Sequence, residues 1–282
     1  MKHNRLFLFA AYDPNNTVND ALFYYVSQLS KFGDVIFCMD NDCQKTELNK
    51  LKNYTITAIA KRHGEYDFGS YKRAYQYAYD NDILKNYDNI YIVNDSVFGP
   101  LFDLTKTLDN LESTNTDATG LIVSKHKTHA FMESWFVRLG NKIFNTDWFR
   151  DFMESVDKQP TKAQITIKYE HGLSNLIHKH GLSWGGLYIC HGRFTYNNPK
   201  KLFKRGCPFI KKACFNRHNG AIGNQIKYIL NHCQINIQLP IITTANKLYG
   251  PDYMNWLLTY NPIKIVTRKV KYLGTKLKNG GI

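Results

Sequence analysis

The sequence has no apolar run near the ~20 residues that a helix needs to cross a bilayer. Its first apolar stretch, 6–11, is too short for a signal peptide and is followed almost at once by Asp13. It also has no internal repeat and no low-complexity tract, which excludes collagen-like and disordered chains. We therefore expect a folded protein that stays in the cytoplasm.

Cysteines are few, and no two of them have the two-residue spacing of zinc or redox motifs. All six are scattered, at positions 38, 43, 190, 207, 214 and 233. We interpret them as reduced thiols with packing roles.

The composition is that of a chain that can bury a full core: 43% of the 282 residues are apolar and 14% are aromatic. Lys and Arg outnumber Asp and Glu by 37 to 23, a net charge of +14. Such a balance favours anionic partners such as phosphates, nucleic acid or an acidic membrane leaflet, and charge alone does not choose among them.

The first half of the chain alternates short apolar runs with segments of helical periodicity, which predicts an α/β fold with a mostly parallel sheet flanked by helices. The predicted strands are 5–11, 34–39, 55–60, 89–93 and 119–123, and the predicted helices include 18–32, 70–79 and 170–180. From Pro199 onward the pattern is basic and irregular.

Polar side chains follow four of these predicted strands. They are Tyr12 with Asp13, then 40–42, 62–67 and 94–96. Open parallel sheets bind ligands at the carboxyl ends of their strands, so these positions predict a polar ligand crevice.

The fourth strand runs directly into Asn94, Asp95 and Ser96. A carboxylate in this place can meet a diphosphate bound to a divalent cation, because hard cations prefer oxygen ligands and bridge phosphate oxygens. Considered without other evidence, an Asp after a strand is more often a turn former than a metal ligand.

Five ordered blocks carry a resemblance to a known family. They are "YDFGSYK" from Tyr66, "NDSVFGP" from Asn94, "ESWFV" from Glu133, "YEHGLS" from Tyr169 and "PFIKK" from Pro208. Over residues 5–215 the chain resembles the rhamnan synthesis protein F family of bacterial polysaccharide glycosyltransferases. The resemblance implies a GT-A-like, Rossmann-like fold, a nucleotide-diphosphate sugar donor and transfer to a growing surface glycan.

In GT-A enzymes the fourth strand ends in an Asp-any-Asp motif that holds Mn²⁺ or Mg²⁺ against the donor diphosphate. The matching triplet here has one carboxylate, so the resemblance implies Asp95 as metal ligand, with Asn94 or Ser96 contributing a neutral oxygen. A single anionic ligand leaves open whether Lys or Arg takes over part of this role. Asp40, in the Asp-any-Asp triplet 40–42 after the second strand, would contact the nucleoside, and the alternative is an ordinary loop. Tyr12, after the first strand, is a further candidate for donor binding.

The resemblance also implies a donor site around the loop before the third helix. Asp67 would accept a ribose hydroxyl, Gly69 would permit close backbone approach, and Lys72 or Arg62 would balance the diphosphate charge. The basic character of the "PFIKK" block makes Lys211 a candidate to close over a diphosphate, and the equal alternative is a solvated basic loop. The alternative for Asp67 and Lys72 is a helix cap and a solvated helix face.

Glycosyl transfer with inversion needs a base for the acceptor hydroxyl. Glu170, before a predicted helix, is our leading candidate, and Asp147 and Glu133 are weaker ones. The alternative for Glu170 is a surface residue that complements the helix dipole, and a retaining enzyme would need no dedicated base.

Aromatic and imidazole side chains commonly contact bound sugars, and two of them are candidates to bind the acceptor. His129, beyond the predicted strand 119–123, is expected to contact acceptor or phosphate, and Trp135 is expected to stack on acceptor sugars. The alternative for Trp135 is a place in the core.

The last 20 residues, 263–282, combine apolar residues at helical spacing with many Lys and Arg. This pattern predicts a basic amphipathic helix on an anionic membrane, next to a polyprenyl-linked acceptor. The alternative is a helix packed on the domain by the same apolar stripe. We divide the chain into a glycosyltransferase domain, 1–215, and a basic helical appendage, 216–282.

These observations together predict a hexosyltransferase, peripheral on the inner face of the cell membrane. It would move galactose, galactofuranose or rhamnose from a UDP- or dTDP-sugar to a lipid-linked capsule, O-antigen or cell-wall glycan. The alternatives are a basic nucleic-acid-binding protein and a non-catalytic glycan-binding protein. Because no nucleic-acid recognition motif is present, we expect no nucleic-acid partner.

Overall fold

The structure is a computed structural model that describes residues 4–259 and 261–278. The chain forms two compact units. The first comprises Met1–Asp95 and Leu104–Gly192, and the second comprises Ser96–Asp103 and Arg193–Ile282. The boundary placed at residue 215 from the sequence pattern stays a prediction.

The first unit is built on one eight-stranded sheet. Its strands are β1 (Arg5–Ala11), β2 (Asp34–Met39), β3 (Thr57–Ala60), β4 (Asn89–Asn94), β6 (Ala118–Lys125), β7 (Ala130–Met132), β8 (Phe136–Gly140) and β9 (Trp184–His191); β5 (Val97–Phe98) and β10 (Ile210–Lys211) belong to the second unit. The strand order is β3-β2-β1-β4-β8-β6-β7, and β9 pairs with β6.

Six of the eight strands point the same way. Strands β1 to β4 are parallel, β8 is antiparallel to both β4 and β6, and β9 is parallel to β6. The predicted α/β class with a mostly parallel sheet is therefore confirmed. The predicted strands 34–39 and 89–93 agree with β2 and β4 to within one residue.

Helices cover the sheet of the first unit. They are α1 (Asp20–Leu29), α2 (Lys45–Leu48), α3 (Tyr66–Asp80), α4 (Thr105–Glu112), α5 (Asn141–Phe144), α6 (Asp147–Glu154), α7 (Lys162–Ile165), a π-type turn (Thr166–His171) and α8 (Gly172–Lys179). Short 3₁₀ turns lie at Asn49–Leu51 and Leu84–Asn86. Helix α3 begins four residues before the predicted start at Ser70, so the expected loop around Asp67 is wrong: Asp67 and Gly69 lie in its first turn.

The core of this unit lies between the sheet and these helices. Helix α3 buries Tyr71, Ala74, Tyr75 and Ala78 on one face, as its spacing predicts. Strands β1 and β2 are buried along their length because helices cover both faces of a parallel sheet. The polar residues that follow β1 and β2 therefore lie at the edge of this buried core.

The second unit is mainly helical, in line with the basic helical appendage expected over 216–282, and helices are also present between Pro199 and residue 215, where the sequence pattern is irregular. Its helices are α9 (Phe194–Asn197), α10 (Pro199–Lys204), α11 (Gly223–Asn231), α12 (Ile235–Tyr249), α13 (Pro251–Leu258) and α14 (Pro262–Lys278), with 3₁₀ turns at Lys212–Cys214 and Arg217–Gly220. Helices α11 to α13 bury Ile226, Ile241 and Leu257.

Two of the blocks that carry the family resemblance pair with each other in this unit. Strand β5, from "NDSVFGP", is antiparallel to β10, from "PFIKK". Gly99 permits this approach, because its φ is +141° and a Cβ there would lie 2.6 Å from the carbonyl oxygen of Pro208. Phe98 packs edge-on against Phe215 beneath the pair.

All six cysteines are free thiols, and five of them are buried, in line with their expected packing role. Among the described helices we find none that combines the length and the apolar character needed to cross a membrane.

Candidate functional site

Asp40, directly after β2, organises the ends of β2 and β3. Its Oδ1 accepts hydrogen bonds from the backbone N–H groups of His63 (2.7 Å) and Gly64 (2.9 Å). Its carbonyl oxygen accepts from Nη1 of Arg62 over 2.8 Å. The buried Asp40 carboxylate therefore shapes the loop after β3, and this explains its burial without a ligand.

At this carboxyl edge of the sheet, the exposed side chains of Tyr12 and Arg62 stack on each other. The guanidinium of Arg62 lies 5.2 Å from the ring centroid of Tyr12, the residue after β1, and Tyr12 is 46% exposed. An exposed aromatic ring with a cation on it offers a flat surface for a planar ligand such as a nucleobase.

A second network holds the turn after β1. The Asp13 N–H donates to Oδ1 of Asn41, and Nδ2 of Asn41 donates back to the carbonyl oxygen of Asp13. Oδ2 of Asp13 accepts from Nδ2 of Asn19, the N-cap of α1. These buried contacts fix the backbone that presents Tyr12 and Asp40.

The end of β4 meets the first turn of α3. Nδ2 of Asn94 donates to Oδ2 of Asp67 over 3.1 Å. Asp95, the next residue, is 8% exposed, and its N–H donates to the carbonyl oxygen of Ala10. Burial, and after it the charge of Asp95, raises the pKa of Tyr25 in α1, which places that hydroxyl within the field of the carboxylate.

The described residues at this edge supply too few ligands to hold a divalent cation without a bound substrate. In the described part of the chain, no group of three His, Cys, Asp or Glu side chains has the arrangement of a metal centre. Mg²⁺ bound to a nucleotide commonly takes one or two protein carboxylates and completes its shell with phosphate oxygens and water. Asp95, with the amide of Asn94, matches that smaller requirement.

Tyr71 connects this edge to Glu170. The Tyr71 hydroxyl donates to the carbonyl oxygen of Ser134 over 2.8 Å, and Ser134 donates to Oε1 of Glu170 from both its N–H and its hydroxyl. Burial, and after it the charges of Asp67 and Glu170, raises the pKa of Tyr71. Asp67, Asn94 and Glu170 are thus grouped around one buried phenol.

Glu170 lies in the π-type turn Thr166–His171 and is half-buried. Such turns are frequent at functional sites, because the wider turn redirects a side chain out of the helical register. The weaker base candidates differ from it. Glu133 is buried with its two oxygens accepting from Ser124 and Trp135, and Asp147 lies in the first turn of α6 with an 85% exposed side chain.

Three predicted site residues make structural contacts instead of facing an open site. Trp135 is 2% exposed and its indole N–H donates to Glu133 over 2.7 Å, which does not favour stacking on a sugar. Nζ of Lys72 donates to the carbonyl oxygens of Glu154 and Val156 at the end of α6. A Cβ at Gly69 would lie 2.4 Å from Cβ of Glu65, so protein atoms occupy the space expected for a ligand.

His129 lies in the turn between β6 and β7. Its ring stacks on His126 at 4.6 Å and contacts His171 at 5.0 Å, beside Phe131. Burial, followed by the charges of His129 and His126, lowers the pKa of His171. Because His171 follows Glu170 in the chain, this ring cluster is a candidate acceptor surface in the same unit.

Ser96 and Lys211 belong to the second unit. Nζ of Lys211 donates to Oγ of Ser96 over 3.1 Å, and Lys211 is only 9% exposed. Lys212 N donates to the carbonyl oxygen of Ser96 in the β5–β10 pair. The sequence reasoning assigned these two residues to the same ligand, and the structure gives them a direct contact.

A pocket of about 350 Å³ lies at the other end of α3, and its lining includes Asp147, one of the weaker base candidates, but none of the other predicted site residues. It is lined by residues that include Tyr75, Tyr79, Phe144 and Arg150.

Sequence reasoning missed Tyr71 and Ser134 as members of the site. Tyr71 was assigned only to the buried face of α3, and Ser134 is a small polar residue between Glu133 and Trp135. Their contact spans 63 residues, so no local pattern reveals it.

The fold and the strand-end cluster define an α/β protein with a polar ligand site at the carboxyl edge of its sheet. The family model for rhamnan synthesis protein F matches residues 35–277. The chain therefore belongs to the rhamnan synthesis protein F family, and the observed sheet confirms the expected α/β fold with a mostly parallel sheet. No curated protein sequence matches the chain significantly.

Two solved structures show remote similarity. One is described as a nucleotide-diphospho-sugar transferase from Desulfovibrio desulfuricans G20, with 14% identity over 70% of this chain and 88% of that one, at a TM-score of 0.38. The other is a glycosyltransferase involved in glycosylation of the major capsid of PBCV-1, with 6% identity over 73% and 93% and a TM-score of 0.36. Similarities this low carry no argument about function.

Proposed function

We propose that the protein is a glycosyltransferase that moves a hexosyl group from a UDP- or dTDP-sugar to a hydroxyl of a lipid-linked surface glycan. The observation that carries this proposal is the grouping of Asp67, Asn94 and Glu170 around Tyr71, with Asp95 directly after β4, in a chain of the rhamnan synthesis protein F family. Galactose, galactofuranose and rhamnose all suit the proposal.

The nucleoside would bind at the ends of β1 and β2. The Tyr12–Arg62 stack supports this placement, because it is the exposed aromatic surface of that edge. Asp67 would accept a ribose or sugar hydroxyl from its position in the first turn of α3.

In the inverting form of the reaction, the acceptor hydroxyl oxygen attacks the anomeric carbon of the donor. The bond from that carbon to the diphosphate oxygen breaks, and the diphosphate leaves with the electron pair. Glu170 takes the hydroxyl proton. Ser134 supports this role, because its two hydrogen bonds hold one carboxylate oxygen and so fix the orientation of the group.

Asp95 would hold Mn²⁺ or Mg²⁺, assisted by Asn94. The cation supplies positive charge against the leaving diphosphate when it is bound. Lys211, predicted from the sequence to contact the diphosphate, donates to Ser96 within the second unit, and its contact with the donor is part of the proposal.

The acceptor would bind on the imidazole cluster of His126, His129 and His171. Flat rings of this kind pack against the apolar face of a pyranose, and the cluster adjoins Glu170 in the chain. Trp135 remains a predicted acceptor contact that its burial does not favour.

Helix α14 would place the enzyme on an anionic membrane. Its apolar stripe faces outward: Ile263 is 76% exposed, and Val266, Val270 and Leu273 are 56% to 61% exposed. The opposite face docks through Arg268, which is 2% exposed and lies 4.2 Å from the ring of Trp256. This orientation argues against the alternative in which the stripe packs on the domain.

The first experiment is a binding screen of the purified protein against UDP, dTDP, GDP and CMP, with and without Mn²⁺. Thermal shift would detect binding and calorimetry would measure it. We expect one of the two pyrimidine diphosphates to stabilise the protein more than GDP or CMP. If none of the four binds, the proposal fails and the non-catalytic glycan-binding alternative takes its place.

A further inference from the structure

The cavity at the carboxyl end of α3 lies apart from the residues of the proposed donor, metal and acceptor sites. Its volume is about 350 Å³, within the range of about 300–1,000 Å³ found for small-molecule sites, and suits a ligand the size of a mono- or disaccharide. Its lining comes from the last turns of α3, the turn that follows and the segment from α5 to α6, all within the first unit. Tyr79, in this lining, lies twelve residues after Asp67, about 18 Å along the helix.

The cavity has an aromatic wall. The rings of Tyr75 and Tyr79 stack with their centroids 6.4 Å apart, and Phe149 packs edge-on with Tyr75 at 5.2 Å. Tyr75 is buried, and its hydroxyl donates to the carbonyl oxygen of Phe144, which fixes the orientation of the ring. Tyr79 is 44% exposed. A buried and fixed ring therefore supports an exposed one, which offers its apolar face to a ligand.

Arg150 holds the polar edge of this wall. Its Nη1 donates to the hydroxyl oxygen of Tyr79 over 2.8 Å, and its Nη2 lies 3.0 Å from Oδ1 of Asp147. The guanidinium has five N–H donors, so donors remain for a ligand after these two contacts. The exposed ring is thus bordered by a hydroxyl, a guanidinium and a carboxylate whose positions are fixed by one another.

Asn145 supplies a polar group that the fold leaves unused. Its side chain is exposed and lines the cavity. Within residues 4–259 and 261–278, we find no hydrogen bond to its side-chain amide. An amide carries both donors and an acceptor, and a sugar hydroxyl likewise donates and accepts. This amide is therefore available to bind a ligand hydroxyl.

The charges in the lining balance one another. Asp82 pairs with Lys85, and Asp147 pairs with Arg150, so two acids face two bases. A neutral lining gives no attraction to a nucleotide or another anion. A wholly apolar ligand is also disfavoured, because it would remove water from these charged groups without replacing their hydrogen bonds. A neutral saccharide satisfies both conditions, since one face of a sugar ring is apolar and its edge carries hydroxyls.

We propose that this cavity is a binding site for a neutral saccharide, which stacks on Tyr79 and pairs with Asn145 and Arg150. Binding there needs neither a metal nor sugar transfer, so it stands independently of the proposed enzymatic activity. The assignment of this saccharide to the acceptor glycan does rest on the proposed function. In that case the cavity holds a part of the chain away from the reacting hydroxyl and favours longer acceptors.

The test compares two pairs of variants. Tyr79→Ala removes the exposed ring, and Tyr79→Phe keeps the ring but removes the hydroxyl that Arg150 contacts. Asn145→Ala removes the unused amide, and Asn110→Ala, its matched control, removes an exposed amide from α4. The probes are methyl rhamnoside, methyl galactoside and uridine. Saturation-transfer NMR would detect their binding to the full chain, and titration would measure it, without donor or metal.

We expect Tyr79→Ala to weaken binding of at least one glycoside about tenfold, because the stacking surface is lost. Asn145→Ala should weaken it about fivefold, because one hydrogen bond is lost, while Tyr79→Phe and Asn110→Ala stay within about twofold of the wild type. If Tyr79→Ala lowers the melting temperature, Asn145→Ala decides, since the fold does not use its amide.

Three results would overturn the proposal. The first is a wild type that binds neither glycoside, and the second is equal glycoside binding by Asn145→Ala and Asn110→Ala. The third is a loss of uridine binding in Tyr79→Ala and Asn145→Ala with unchanged glycoside binding, which would assign the cavity to a nucleoside.

The same probes separate this cavity from the acceptor surface of the proposed function. His129→Ala alters that surface and leaves the cavity intact. Glycoside binding that is weakened in Asn145→Ala but kept in His129→Ala supports the cavity, even where no nucleotide binds to the protein. Weakening in His129→Ala alone overturns the cavity and leaves the proposed acceptor surface standing.

Discussion

Asn94 donates a hydrogen bond to Asp67, and this contact joins the end of β4 to the first turn of α3. A carboxylate in the first turn of a helix is favoured by the helix dipole, and here it also receives an amide hydrogen from a strand end. Tyr71, one turn further along α3, extends the link to Ser134 and Glu170. The candidate site is therefore tied to regular elements rather than to loops alone.

Asp95→Asn should reduce transfer about 100-fold or more while the fold remains intact, because it removes the carboxylate assigned to the metal-bound diphosphate. Initial rates at several Mn²⁺ concentrations would measure the effect. Asp88→Asn, the same change just before β4 instead of after it, is the control and should leave the rate unchanged. Normal activity of Asp95→Asn with an unchanged metal response would remove Asp95 from the mechanism.

Glu170→Gln should lower kcat about 10²-fold to 10⁴-fold with little change in donor KM, because the amide cannot take the acceptor proton. Asp147→Asn should leave kcat unchanged, since Asp147 is a mostly exposed carboxylate in the first turn of α6. Steady-state kinetics with saturating donor would compare the two variants. A kcat of Glu170→Gln equal to that of the wild type would indicate a retaining mechanism or another base.

Gly69→Ala should destabilise the protein by about 2 kcal/mol, although Ala usually favours a helix. The added Cβ would lie 2.4 Å from Cβ of Glu65 and 2.7 Å from Cε1 of His63. Gly172→Ala is the matched control, because its helical Cβ would meet only Phe152 at 3.9 Å. Urea unfolding should show a lower free energy of unfolding for Gly69→Ala and an unchanged one for Gly172→Ala. Equal stability of the two variants would mean that the loop after β3 moves to make room for the added methyl group.

Glu112→Gln should lower stability at pH 7 by about 2 kcal/mol. Glu112 accepts two short hydrogen bonds from Arg5, which is 9% exposed, and a third from Tyr91. Burial acts to raise the pKa of Glu112, but the hydrogen bonds from Arg5 and Tyr91 outweigh it, so the pKa is lowered.

The sign of the pH dependence follows from that lowered pKa. The advantage of the wild type over Glu112→Gln is present above the pKa of an unfolded Glu, about 4.3, and is lost as the pH falls through the lower folded value. Unfolding curves from pH 7 down to pH 3 should therefore converge. If the difference in stability between the wild type and Glu112→Gln stays constant across this range, the charge of the Glu112 carboxylate is not the source of the stabilisation.

Val266→Gln combined with Val270→Gln should reduce the recovery of protein with anionic vesicles several-fold, since both side chains are exposed on the apolar stripe of α14. Leu239→Gln, at a 55% exposed position on α12, is the control. Flotation with phosphatidylcholine vesicles, with and without phosphatidylglycerol, would measure the apolar and the electrostatic contributions to membrane binding. If the double variant floats as the wild type does, α14 is not the membrane contact.

The sequence predicted the parallel half of the sheet well, because its strands are continuous apolar runs bounded by polar residues. The strand ends followed directly, and with them the positions of Tyr12, Asp40 and Asp95. The start of α3 was missed because Gly69 is a poor helix former, and only the packing of His63 and Glu65 explains why a glycine is tolerated there.

Other features depend on contacts that no local pattern contains. Strands β7 and β8 lie within an aromatic segment that lacks a two-residue alternation, since the sheet there is covered on both faces. Lys72 meets the end of α6 across 82 residues of sequence, so its structural role emerges only in the fold. The bounds of the separate helices between Pro199 and Tyr249 could not be predicted, because Asn, Gln and Lys are interspersed there and Pro240 lies inside α12.

Strand β6 pairs with β7, β8 and β9, and its partner β9 lies after residue 183. On a ribosome the chain up to Asn94 already contains every strand of the parallel half, β3-β2-β1-β4. The sheet of the first unit cannot be completed until His191 has been synthesised, because β9 pairs with β6 along its whole length. Until then one edge of β6 has no strand to pair with, so a translational pause before residue 184 would leave a nascent chain with an open sheet edge, the kind of surface that binds other chains.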